Sequence, residues 1–332
     1  MPLTSAALHT VSTTFFTDAA DIDNFFIKTG GEDFVSWFNA HAAGKENWGR
    51  VGARAALSIA TDTHAHDRFN QLWSNESMQA VFGTGKISLL QFVALQSIII
   101  NETGGRLIPL TEGVGSAGHP GIAYAFDKIP GLKKSYNTLS SNKTCLQNFN
   151  DPNYNKAFSG LPLADQLKNT TNPVWSGEVY PQPNFPSSTN PAISGYVLEA
   201  DFFKFRGRGF IQTTGRTNYS KLISYITGYT GANQFLTGMK AQWNNLSADD
   251  NALASMSSNS NWDDLFQKSD CLVAGKAINI HNESCGNYLQ VLNASDLNTL
   301  TKSVFNVGLR ISGANNYATL YQNRVLQVLG LL

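Results

Sequence analysis

A mainly α fold is predicted for this 332-residue chain on three observations. Apolar and aromatic residues recur at three- and four-residue spacing over long stretches, which lines one face of a helix. Capping residues precede apolar runs and glycines follow them, the marks of helix starts and stops. No strongly alternating run that would make a strand ladder occurs, and no internal repeat.

Residues 15–82 read as amphipathic helices. Phe25, Phe26, Phe34, Trp37 and Phe38 form an aromatic stripe, read as core in preference to a sugar-binding platform. Ser88-x-x-Gln91 has the form of a capping box. The helix it opens runs through Phe92, Leu95, Ile99 and Ile100 to Glu102, and Gly104-Gly105 stops it. Apolar residues cover most of its circumference, so burial on most sides is expected. Seven of the 11 prolines fall between Pro152 and Pro191, within a loop-rich insertion at about 137–196. That insertion also carries Trp175, Tyr180, Phe185 and Tyr196, which fits a wall or lid over a cleft better than a floppy linker. Residues 249–270 hold Asp249, Asp250, a Ser/Asn cluster, Asp263 and Asp264 and read as a solvated connection. Asn316 to Val328 has helical spacing at Tyr317, Leu320, Tyr321 and Val325, with Arg324 near its end. The expected organisation is a helical N-terminal extension over 1–82 and a second domain over 83–332 that carries the insertion.

Apolar residues make up 42% of the chain, enough for a sizeable core. Only 14% are charged, and Lys+Arg equals Asp+Glu at 24 each. Such a balance gives no electrostatic case for nucleic acid or an anionic membrane as partner. A surface of Asn, Ser, Thr and Gly suits neutral ligands such as sugars instead. The apolar run near Leu89 to Ile100 is broken by Gln91, Gln96 and Ser97 and is too short to span a bilayer. Met1-Pro2-Leu3-Thr4-Ser5 has neither a basic segment nor a long apolar run, so no secretory signal is expected. Cys145, Cys271 and Cys285 make neither zinc spacing nor a disulfide framework. Three free thiols is the preferred reading, with a Cys271–Cys285 bridge as the alternative. His64-x-His66 has no Cys or third His nearby, so neither a metal nor a cofactor is expected.

Two stretches carry chemistry. Glu102 ends an apolar helix, where low dielectric and the negative end of the helix dipole both oppose ionisation. A carboxylic acid in such a place suits general-acid cleavage of a glycosidic bond. The second stretch is the Gly207-Arg208-Gly209 turn running into Phe210-Ile211-Gln212, whose glycines allow unusual backbone angles or close approach. Gln212, Thr213, Thr214 and Asn218 then offer neutral donors and acceptors that match sugar hydroxyls and N-acetyl groups. Arg206, Arg208 and Arg216 stand without any other basic cluster, which disfavours a nucleic-acid patch.

Asn101-Glu102-Thr103-Gly104-Gly105, together with the run Phe-Arg-Gly-Arg-Gly-Phe-Ile-Gln-Thr-Thr-Gly-Arg-Thr-Asn-Tyr over residues 205–219, resembles family 19 glycoside hydrolases. This group comprises plant-type chitinases and related bacterial and phage endolysins. Asn306-x-Gly308 followed by Tyr321-x-x-Arg324 is similar to the family's C-terminal segment. The resemblance covers about residues 85–135 and 197–330. It implies a lysozyme-like, two-lobed helical fold, with Glu102 as general acid and Thr214, with Thr213 beside it, holding the attacking water. Gln212, Asn218 and Tyr219 match substrate-cleft positions, Asn306 matches the opposite wall, and Arg208 looks structural, bracing the turn. For the water-activating carboxylate, Glu112 fits the endolysin spacing and is preferred to Asp127, with Glu199 and Asp201 as outside candidates. The chain lacks the chitinase His before Glu102 and has one Thr rather than two after it.

The expectation is therefore inverting hydrolysis of β-1,4 bonds next to N-acetylated sugars in peptidoglycan, with the carboxyl groups about 6.5–9.5 Å apart. The alternatives are a chitinase, a lytic transglycosylase, and a non-catalytic sugar-binding or structural part of a phage or injection particle. Without a signal, such an enzyme would be made in the cytoplasm and reach the wall after lysis, on a particle or through a dedicated secretion machine. Residues 1–82 would pack on the catalytic lobe or dock to that carrier.

Overall fold

Helices dominate the structure, a computed structural model that describes residues 3–49, 57–113, 115–116, 119–120, 204–247, 249–250, 253–254 and 257–332. The insertion at 137–196, Asp127, Glu199, Asp201 and Cys145 lie outside the described residues. In chain order the helices are α1 Ser5–Thr13, α2 Ala19–Gly30, α3 Phe34–His41, α4 Ala65–Leu72, α5 Asn75–Phe82 and α6 Leu89–Thr103, then α7 Arg216–Thr227, α8 Gln234–Asn244, α9 Asn259–Lys268, α10 Leu272–Ser284, α11 Leu297–Ser312 and α12 Asn315–Gly330. A 3₁₀ turn covers Glu46–Trp48. The strands are two-residue pairs: β1 Phe15–Phe16 with β2 Ile87–Ser88, β3 Leu110–Thr111 with β6 Arg208–Gly209, and β4 Gly115–Ser116 with β5 His119–Pro120, all antiparallel. None of the described helices is long and apolar enough to cross a membrane.

The chain divides into two units, one made of residues 1–109 and 270–332, the other of 110–269. The first is organised around α6. Ser88 and Gln91 form the expected capping box, each side chain bonding the other's backbone N–H, and left-handed Gly104 closes the far end. Every residue from Leu89 to Ile100 except Gln91 is buried. At its centre the Phe92 ring meets those of Phe16, Phe26, Phe34, Phe69 and Trp73 at 4.8–6.3 Å, in edge-on geometries that aromatic quadrupoles favour. The aromatic stripe of α2 and α3 is therefore mostly core, since Phe26, Phe34, Trp37 and Phe38 are buried and Phe25 is half-buried. Phe92→Ala should cost about 3–5 kcal/mol, seen as a lower midpoint in urea denaturation; an unchanged midpoint would remove Phe92 from the centre of this core.

In the second unit, Trp262 of α9 is fully buried against Tyr219, Trp243 and Phe205 at 4.6, 5.7 and 6.3 Å. Residues 249–270 are thus not simply a solvated connection. Ser258 caps α9 in a second capping box, with Asn261, and Trp262, Leu265 and Phe266 turn into the core. The Ser/Asn/Asp content that reads as solvent-facing belongs to the cap and the outer face of a short helix.

Candidate active site

Glu102 sits in the last turn of α6. Where the helix leaves the core its side chains diverge: Thr103 turns inward, donating from Oγ1 to the Ile99 carbonyl at 2.6 Å, while Glu102 is exposed. The shielded setting expected from the apolar run ends at Ile100, because that run stops there and the next turn emerges. Gly105 fixes the exit. Its φ is +79°, and a Cβ there would lie 1.7 Å from the Ser58 carbonyl oxygen. Its own carbonyl accepts from Ala60 N at 2.9 Å.

Among the described residues two groups hold the Glu102 carboxylate, both at Oε1. Tyr317 of α12 donates its hydroxyl at 2.6 Å and Asn101 its amide at 2.7 Å. Asn101 is oriented in turn by Arg324, which donates from Nη1 to the Asn101 Oδ1. Arg324 is buried; its Nε donates to the Asn47 carbonyl at 2.9 Å and its guanidinium lies 5.0 Å from the centre of the Trp48 ring. Burial, and then the neighbouring carboxylate, push the Tyr317 phenol well above its ordinary pKa, so it remains a donor. Sequence reasoning placed Tyr317 and Arg324 on a helix face but did not connect either to Glu102. The i, i+4, i+7 spacing of Tyr317, Tyr321 and Arg324 marks a shared helix face but carries no signal for that contact.

In the second unit, Glu112 follows β3 and pairs with the turn preceding β6. Its N–H donates to the Gly207 carbonyl at 2.8 Å, and its Oε2 accepts from Gly207 N at 3.1 Å. Arg208 is fully buried and braces the turn. It donates to Asp263 Oδ1 at 2.8 Å, to the Lys204 carbonyl at 2.6 Å, to the Tyr219 hydroxyl at 3.0 Å and to Asn259 Oδ1 at 2.6 Å. Burial works against its charge, yet Tyr219 and Asp263 outweigh that and hold its pKa above the ordinary value. Arg206 shares Asn259 and lies 3.5 Å from Asp263; burial and the adjacent Arg208 lower its pKa to about 10. Gly209 has φ +109°, and a Cβ there would crowd the Ile211 carbonyl at 3.2 Å and the Phe266 ring at 3.3 Å.

The neutral polar residues of this stretch separate by exposure. Gln212 is exposed and Thr214 and Asn218 are half-buried, with the Asn218 amide donating to the Thr214 carbonyl at 3.0 Å. Thr213 is 2% exposed, its backbone paired with that of Arg208 in both directions. Tyr219 is fully buried, and its hydroxyl donates to the Arg206 carbonyl at 2.6 Å. That bond, with the one from Arg208, places Tyr219 in the scaffold rather than against a ligand. Asn306 is exposed on α11 in the first unit. Asn259 and Asp263, which anchor both arginines, were missed because their surroundings read as solvent-facing.

Cys271 and Cys285 are free and stand at the N-cap and C-cap of α10. A 13-residue helix separates them by about 20 Å at 1.5 Å per residue, against the less than 7 Å a bridge requires, so the disulfide alternative is excluded. Burial pushes the Cys271 thiol up to about 12. An aromatic disulfide reagent at pH 8 should therefore label Cys285, which is half-buried, and reach Cys271 only on unfolding; equal labelling of both in the native protein, read by peptide mass mapping, would contradict this burial. Comparison with protein-family models, curated proteins and solved structures finds no match.

Proposed function

We propose that this chain is a cell-wall glycoside hydrolase, cleaving β-1,4 bonds next to N-acetylated sugars in peptidoglycan on a lysozyme-like, two-lobed helical fold. The observation that supports this best is Glu102, an exposed carboxylate on a rigid buried helix, held at one oxygen by Tyr317 and Asn101. Precise placement of a proton donor by groups that are themselves fixed is what general-acid catalysis asks of a scaffold. In this reading Glu102 protonates the leaving glycosidic oxygen, the C1–O bond breaks, and water adds at C1. The family resemblance gives the part of accepting a proton from that water to Glu112 and that of holding it to Thr214. Its bond from Gly207 N fixes the orientation of the Glu112 carboxylate. The sparse, balanced charge of the chain agrees with a polymer recognised through hydroxyl and acetamido groups.

The test is digestion of purified peptidoglycan and, in parallel, colloidal chitin, with products read by mass spectrometry beside Glu102→Gln. Reducing muropeptides from peptidoglycan, absent with Glu102→Gln, are the expected result. Chito-oligomers would make the protein a chitinase, and anhydro-sugar ends a transglycosylase. No product from either polymer would overturn the enzymatic reading in favour of a binding or structural component.

A further inference from the structure

Resting on that reading, we infer that Tyr317 and Asn101 are positioning residues that dedicate Glu102 Oε1 to accepting hydrogen bonds and leave Oε2 as the oxygen that carries the transferred proton. The geometry is asymmetric. Oε1 receives two donors, at 2.6 and 2.7 Å, and the described residues supply no hydrogen bond to Oε2. A carboxylic acid has one O–H and one carbonyl-like oxygen, and an oxygen already facing two donors cannot also present a hydrogen toward them. The neutral acid therefore places its hydrogen on Oε2, the oxygen left open on an exposed side chain. On transfer, the Oε2–H bond breaks as the new O–H bond forms on the leaving oxygen, and the carboxylate left behind keeps both donors on Oε1. Those two bonds strengthen as the negative charge appears, so the arrangement favours the transition state over the resting acid.

Neither donor can reverse its role. Arg324 has only hydrogens to offer and claims the Asn101 Oδ1, which turns the Asn101 Nδ2 toward Glu102 and toward the Tyr317 hydroxyl, 3.3 Å away. Tyr317 is a phenol in a half-buried position beside a carboxylate, a setting that keeps its proton in place. The bonds from the buried guanidinium of Arg324 through Asn101 and Tyr317 thus reach the exposed carboxylate with the amide and hydroxyl orientations set along the way.

Tyr317→Phe deletes the hydroxyl and keeps the ring, so the helix packing survives and a thermal melt serves as the control. Its kcat on peptidoglycan should fall roughly 10- to 100-fold, the size of effect that loss of alignment produces, with KM unchanged. A readout independent of turnover comes from NMR titration of ¹³Cζ-labelled tyrosine. In the native protein burial and the adjacent carboxylate hold the Tyr317 phenol above its ordinary pKa, and in Glu102→Gln it should ionise at lower pH because the adjacent negative charge is gone. Wild-type kcat in Tyr317→Phe, with Glu102→Gln inactive, would overturn this inference and leave the hydrolase reading standing. An identical Tyr317 titration in both proteins would overturn it by removing the contact. An inactive native protein that still shows the titration shift would overturn the hydrolase reading, and the positioning role with it, while retaining the contact.

Discussion

Arg208→Ala should destabilise the second unit by about 3–5 kcal/mol, the range seen when one partner of a buried ionic network is removed. The side chain is fully buried and serves four acceptors on Asp263, Lys204, Tyr219 and Asn259. Alanine fills none of that volume and satisfies none of those groups. Among the described residues Asp263 would keep one cationic partner, Arg206 at 3.5 Å, whose own charge burial already opposes. Lysine restores a charge but not the planar fork that reaches several acceptors at once, so Arg208→Lys should recover only part of the loss. Tryptophan fluorescence reports the transition, since Trp243 and Trp262 both lie in this core. A midpoint for Arg208→Ala within error of the native protein would show that the network adds nothing and that burial of the surrounding aromatic rings suffices.

Gly105→Ala should be nearly as damaging in the first unit, and Gly104→Ala is its internal control. Both glycines have positive φ, where a side chain costs about 1–2 kcal/mol. They differ in space. Nothing lies within 4 Å of a Cβ at Gly104, whereas one at Gly105 falls 1.7 Å from a backbone oxygen of Ser58. The backbone must move to admit it, adding about 1–3 kcal/mol as overpacking does. Movement there breaks the bond from Ala60 N to the Gly105 carbonyl and shifts the exit of α6, on which Glu102 stands. Thermal melts should rank native above Gly104→Ala above Gly105→Ala, with the second gap the larger; equal melts for the two variants would mean that the segment at Ser58 yields without cost.

How much of this was legible in the sequence depends on how local each feature is. Ser88, Gln91 and Gly104 delimit α6 through bonds that span three or four residues, so spacing reveals them. The bracing role of Arg208 came from the family resemblance of residues 205–219, a long motif contiguous in the chain. The partners of Glu102 could not be read in the same way. Tyr317 lies 215 positions away, and no local pattern links the two. Exposure of Glu102 was misjudged for a related reason: apolar periodicity says that a helix is buried but not at which residue it emerges. Asn259 and Asp263 were hidden by polarity, since the same side chains that solvate a loop can also anchor buried guanidinium groups.

The division of the chain has a consequence for the order in which it is synthesised. Residues 110–269 are contiguous, so every internal contact of the second unit is available once that stretch has left the ribosome. The first unit is split between 1–109 and 270–332, and α6 waits for α12: the bond from the Tyr321 hydroxyl to the Ala94 carbonyl spans 227 positions. Closing so long a loop is slow, and domains form as their segments emerge. Until residues 315–330 are made, Glu102 lacks Tyr317 and Asn101 lacks Arg324, so the nascent chain carries the carboxylate without the groups that align it.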